Sequence, residues 1–129
     1  MKASCLCGRI KYEITGPILR ARYCHCANCR KFSGTAPAAW GLVETAHLVI
    51  GQSNSAIGKY DSGNGLRVFC SSCGSPLWYE PTGVPQFRGI PLGVIDDEGV
   101  PSPQMHVWVK SKVSWASILD DLPQHNTPP

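Results

Sequence analysis

Seven cysteines in three tight groups constrain this chain more than any other feature of its 129 residues. Cys5-Leu6-Cys7-Gly8 and Cys70-Ser71-Ser72-Cys73-Gly74 are pairs, and Cys24-His25-Cys26-Ala27-Asn28-Cys29 puts three thiols within six residues, followed directly by Arg30 and Lys31. C-x-C and C-x-x-C are metal-binding spacings, and an odd total argues against a disulfide framework. Four thiolates close a tetrahedral zinc site, whereas three leave one coordination position open. Seven is therefore read as four plus three: Cys5, Cys7, Cys70 and Cys73 around a structural zinc, and Cys24, Cys26 and Cys29 around an open, catalytic one. A zinc ribbon built from Cys26, Cys29, Cys70 and Cys73 competes with this pairing, and it leaves Cys5, Cys7 and Cys24 without a purpose.

A chain of this length fits one domain. The expected boundaries are 1–123 for a single zinc-binding domain and 124–129 for a polar tail with no reason to order. The hydrophobic fraction of 43% and charged fraction of 16% are ordinary for a globular protein, and the longest apolar runs fall well short of the roughly 20 residues a membrane helix needs. Met1-Lys2 leads straight into Cys5 without an apolar leader. The expected address is the cytoplasm, where thiols stay reduced. Net charge is +3, and the twelve Lys and Arg residues are scattered, which gives little support to nucleic-acid binding. An assembly of identical chains is compatible with this composition.

The pattern along the chain is that of strands. Arg9 to Thr15 alternates polar and apolar at period two until Gly16-Pro17 stops it. Further strands are expected at Ile18–Cys24, Ala36–Val43, Leu48–Ile50, Ala56–Tyr60, Leu66–Phe69, Ser75–Tyr79, Phe87–Ile95 and Met105–Val109. A polar loop is expected at 52–55, and Asp61-Ser62-Gly63-Asn64-Gly65 reads as a hairpin turn. Cys5 and Cys7 are placed on extended backbone, Cys26 to Cys29 in a turn, and one helical turn is expected at Trp115–Leu119. Eight or so short strands without long helices give an all-β domain.

An open three-thiolate zinc suits a soft ligand, a thiol deprotonated by coordination, and glutathione fits that description. Arg30 and Lys31 are candidates to attract its carboxylates. His25 alternates away from Cys24 and Cys26 and is read as supporting or exposed, not metal-bound. His47 and His106 are read as structural, His125 as part of the tail, and Trp40, Trp78, Trp108 and Trp115 as core.

Four motifs carry a resemblance that runs from Ser4 to about Pro123: Cys5-x-Cys7-Gly8, Cys24-His25-Cys26-x-x-Cys29-Arg30-Lys31, Phe69-Cys70-x-x-Cys73-Gly74-Ser75, and His106-x-Trp108 with Trp115 ahead of Leu122-Pro123. The chain resembles the glutathione-dependent formaldehyde-activating enzymes, to which centromere protein V is also similar. The resemblance implies an Mss4-like fold of packed antiparallel sheets, the four-plus-three division of zinc ligands, and a carbon–sulfur lyase that joins glutathione and formaldehyde. A zinc-stabilised module that binds protein or nucleic acid is the rival reading, and it needs only the four-thiolate site. A redox switch at Cys26 and Cys29 comes last, since no helix N-terminus is expected there to activate the pair.

Overall fold

The computed structural model describes residues 1–51 and 54–129. Of the polar loop expected at 52–55, Gln52 and Ser53 lie outside the described residues. Strands β1 (Lys2–Ser4), β2 (Lys11–Ile14), β3 (Arg20–Cys24), β4 (Ala38–Glu44), β5 (Leu48–Ile50), β6 (Ile57–Asp61), β7 (Gly65–Cys70), β8 (Pro76–Pro81), β9 (Phe87–Pro91) and β10 (His106–Val107) form two sheets. The smaller has the order β1-β2-β5, and the larger β10-β3-β4-β9-β8-β7-β6. Every strand pairing is antiparallel except β10 with β3. The fold is all-β, as the patterning implies.

Alternation decides which face each strand buries. In β2, Tyr12 and Ile14 point inward while Lys11 and Glu13 face water. With Ala3 and Ile10 they pack against Val43, Val68, Leu77, Trp78 and Ile90 from the larger sheet, and this is the main core. Tyr12 also donates its hydroxyl to the Leu77 carbonyl at 2.7 Å, which satisfies the polar end of a buried ring. A second cluster, with Cys24, Cys29, Ala38, Trp40 and Val107, is separate from it.

Several expected elements are corrected. Ala27–Ser33 is an α-helix, α1, where a turn was expected. The strand expected at Phe87–Ile95 ends at Pro91 and continues as a 3-10 turn, because Pro91 has no N–H to extend the ladder. Trp115–Leu119 forms no helical turn, and Trp115 is an exposed residue instead of a core one. Val49 and Ile50 are exposed on β5, an edge strand with one partner. The polar tail is tied at its start: His106 donates its N–H to the Pro123 carbonyl, His125 to that of His106, and Val109 to that of His125. These bonds cover the free edge of β10, which is why Gln124 and His125 hold a fixed place. No helix among the described residues is long and apolar enough to cross a membrane.

Candidate metal centres and the adjoining cavity

The thiols gather in two groups. The Sγ atoms of Cys5, Cys7, Cys70 and Cys73 all lie within 4.8 Å of one another, and so do those of Cys24, Cys26 and Cys29. This grouping leaves the zinc-ribbon pairing without a geometric basis.

Cys5 follows β1 and Cys70 ends β7, so two distant segments meet at the four-thiol group. Each knuckle turns on the glycine after its second cysteine: Gly8 has φ 78° and Gly74 φ 79°, left-handed values that glycine adopts without strain. Cys5 and Cys7 thus lie in a turn and not on extended backbone. Their sulfurs are 3.6 Å apart, and Cys7 is 3.8 Å from Cys70. A disulfide needs about 2.05 Å. A tetrahedron of sulfurs about 2.3 Å from zinc has edges of about 3.8 Å, so these residues fit a closed zinc site. The N–H of Ile10 donates to Cys5 Sγ at 3.3 Å. Hydrogen bonding to Ser75, through its side chain first, holds the Cys73 thiol down to about 5, which favours the thiolate that metal binding needs.

The end of β3 and the start of α1 assemble the other group. Cys24 closes β3, and Cys29 lies in α1. Cys26 caps the N-terminus of α1, its Sγ accepting the Cys29 N–H at 3.3 Å. Gly34, at φ 71°, ends the helix by donating to the Arg30 carbonyl, and Arg30 and Lys31 lie toward the end where the helix dipole favours cations. The thiols are not equivalent. Cys26 is held down to about 2, chiefly because it accepts hydrogen bonds from Cys24 and then Cys29, while Cys24, the donor, is pushed far up. One sulfur of the three carries charge readily, and a divalent cation is what would hold all three as thiolates. The donor set fits zinc with one position left open.

Beside this group lies a cavity of about 250 Å³. Strand register builds its floor: Leu42, Gly89, Tyr79 and Arg67 stand opposite one another across β4, β9, β8 and β7, on one face of the larger sheet. Gly89 contributes no side chain, which leaves room between Leu42 and Tyr79. Trp40, paired with Arg22 across β4 and β3, adds a wall, and all three cysteines open onto it. Trp108 completes the lining at φ 58°, a left-handed conformation that is strained for a bulky side chain.

Arg30 and Lys31 do not line this cavity; Arg22 and Arg67 do. Arg67 lies within a strand pattern, and only the register that sets it against Tyr79 could have singled it out. His25 is buried, not exposed, and is not one of the grouped metal-ligating residues. Its Nε2 lies 2.8 Å from His106 Nδ1, and His106 Nε2 lies 3.0 Å from Asp120 Oδ2. Burial first, then His106, lowers the His25 pKa. The start of α1 behind Cys26 removes the reason for setting the redox switch aside; the third sulfur, Cys24, is what distinguishes this group from a simple dithiol.

Residues 1–111 match the sequence profile of the family described as "Glutathione-dependent formaldehyde-activating enzyme". A Halomonas elongata protein that bears this family's name provisionally is 25% identical over 126 residues, 92% of this chain and 80% of its own length. A Schizosaccharomyces pombe protein, named an uncharacterized lyase, is 27% identical over 82 residues, 63% of this chain and 58% of its own length. A solved structure of a Rhodobacter sphaeroides protein shares the fold with a TM-score of 0.63 at 24% identity, covering 78% of this chain and 91% of that one.

Proposed function

Because the chain belongs to the glutathione-dependent formaldehyde-activating enzyme family, we propose that it is a zinc-dependent carbon–sulfur lyase that joins glutathione to formaldehyde as S-hydroxymethylglutathione and reverses that reaction. The observation that carries this reading is a group of three sulfurs at the wall of a cavity, apart from the four of the other cluster. Cys24, Cys26 and Cys29 would hold the working ion, and Cys5, Cys7, Cys70 and Cys73 a second whose role is folding. Zinc, when bound, supplies an open position that keeps a thiol sulfur deprotonated near neutral pH.

In the forward direction the glutathione thiol gives up its proton to water, a sulfur lone pair attacks the carbonyl carbon, the S–C bond forms, and the carbonyl π electrons pass to oxygen, which takes a proton back from water. The reverse breaks the same bond. Among the described residues no Asp, Glu or His lines the cavity, and the Tyr79 hydroxyl already donates to the Asn64 carbonyl at 2.6 Å. The chain therefore works by placing sulfur and carbon together and by offsetting charge, with no dedicated general base. Arg30 and Lys31 add longer-range attraction for the carboxylates of glutathione. We infer likewise that the chain makes one zinc-binding domain, which takes in Gln124 and His125 beside the expected residues 1–123, and that the protein works in the cytoplasm, where its thiols and glutathione are reduced.

The test is the rate of adduct formation from glutathione and formaldehyde, set against an equal concentration of Cys26→Ser protein because the reaction also proceeds unaided. Wild type should be faster, and S-methylglutathione should not serve as a substrate. Equal rates would remove formaldehyde as the substrate. Failure of glutathione to bind at all would make the zinc-stabilised binding module the better reading.

A further inference from the structure

Arg67 is 3% exposed, the most buried Lys or Arg among the described residues. A guanidinium keeps its charge, and a buried charge needs a partner of opposite sign. Among the described residues Arg67 pairs with no carboxylate. Its Nε–H donates to Ser62 Oγ at 3.2 Å, its Nη1–H to Cys29 Sγ at 3.6 Å, and its plane lies over the Tyr79 ring at 4.0 Å. The ring face and the hydroxyl carry only partial charges. Among the described residues, the group able to supply full negative charge beside Arg67 is the sulfur group, whose Cys29 member it touches and all of whose sulfurs would be thiolates around a divalent ion.

We propose that Arg67 is the fixed counter-charge of the three-thiolate centre, and that it sets both how firmly this centre holds a divalent ion and its preference for an anionic sulfur ligand. Three thiolates around a divalent ion leave one negative charge in a site walled by Trp40 and Tyr79, where water screens little. Arg67 offsets it. Arg22, on the same cavity wall, then leaves positive charge for an entering thiolate. The hydrogen bond to Cys29 also fixes that sulfur's direction, as outer-shell partners of metal ligands commonly do. This proposal rests on the proposed function in taking the three-thiol group as a divalent-metal site and, for its ligand half alone, glutathione as the entering thiol.

The measurement is competition for the more easily removed zinc by a chromophoric chelator, made on zinc-loaded wild type, Arg67→Met and Arg67→Lys. Arg67→Met should weaken that zinc about 10- to 100-fold, leave the tight zinc in place, and lower glutathione affinity more than the affinity for S-methylglutathione, which keeps the carboxylates but has no ionisable sulfur. Arg67→Lys keeps the charge and should recover most of the metal affinity. Unchanged zinc affinity in a folded Arg67→Met protein overturns the proposal, as does a lysine variant no better than methionine. If Arg67→Met does not fold, Arg67→Lys decides: less than about a tenth of wild-type zinc affinity, on the same outer-shell scale, overturns it. A wild type that binds zinc but not glutathione defeats the proposed reaction and leaves the metal result readable.

Discussion

The Cys26 sulfur accepts the Cys29 N–H at 3.3 Å as the cap of α1 and also belongs to the three-sulfur group, so one side chain has a local task and a chemical one. Serine caps helices well and binds zinc poorly, and this separates the two tasks. Cys26→Ser should therefore keep the fold, with a melting temperature within a few degrees of wild type, about the shift that 1 kcal/mol gives in a domain of this size, while adduct formation falls to the unaided rate. Cys70→Ser, which strips a ligand from the four-thiol group at the end of β7, should prevent soluble expression or lower the melting temperature by well over about 10 °C, since structural zinc binding is itself folding free energy. If thermal melts of the two variants coincide, the division of labour between the groups is wrong. The ligand residues could be read from spacing because metal binding imposes spacing on the chain. Arg67 could not, because its importance comes from a cross-strand neighbour and from burial, and neither leaves a mark on an isolated arginine.

The helix α1 shows what element-level patterning misses. Its seven residues are too few for an apolar period to emerge, and its cap is a cysteine, outside the usual set of Ser, Thr, Asp and Asn. Ser33-Gly34 after two cations was the remaining signal, a helix end with glycine in the left-handed position. The C-terminal segment was misread for a related reason: Gln124 and His125 are polar, but they answer the unpaired edge of β10, a demand made by tertiary structure alone. In the same region Asp120 accepts from His106 and from the Leu122 N–H, and the His106 bond first of all holds its carboxyl below the usual carboxylate range. A depressed carboxyl stabilises the fold above the unfolded-state pKa, and that contribution is lost as pH falls through the folded one. Asp120→Asn should thus melt below wild type by a constant margin from pH 7 down to about 5, and the margin should shrink below about pH 4. Melting curves at those pH values check it, and a margin that widens on acidification would contradict the assignment.

At the scale of the whole molecule, the larger sheet does two things with its two faces. One packs on β1, β2 and β5 to make the main core, and the other carries the cavity and the three sulfurs. The all-β class was legible because period-two alternation and turn residues report directly on strands. The order of the strands was not, since it depends on pairings such as β4 with β9 that join segments far apart in sequence. The four-thiol group ties Cys5 and Cys7 to Cys70 and Cys73, so full chelation should unfold the chain, whereas removal of the other ion should not. The central claim, one closed and one open zinc site of which the open one takes the glutathione sulfur, is tested most directly by zinc content per chain during mild chelation, with glutathione or S-methylglutathione present. Two zinc ions per chain, one of them lost without unfolding and lost more slowly when glutathione but not S-methylglutathione is added, is the predicted result. A single zinc that leaves only on denaturation, whichever thiol is added, would contradict it.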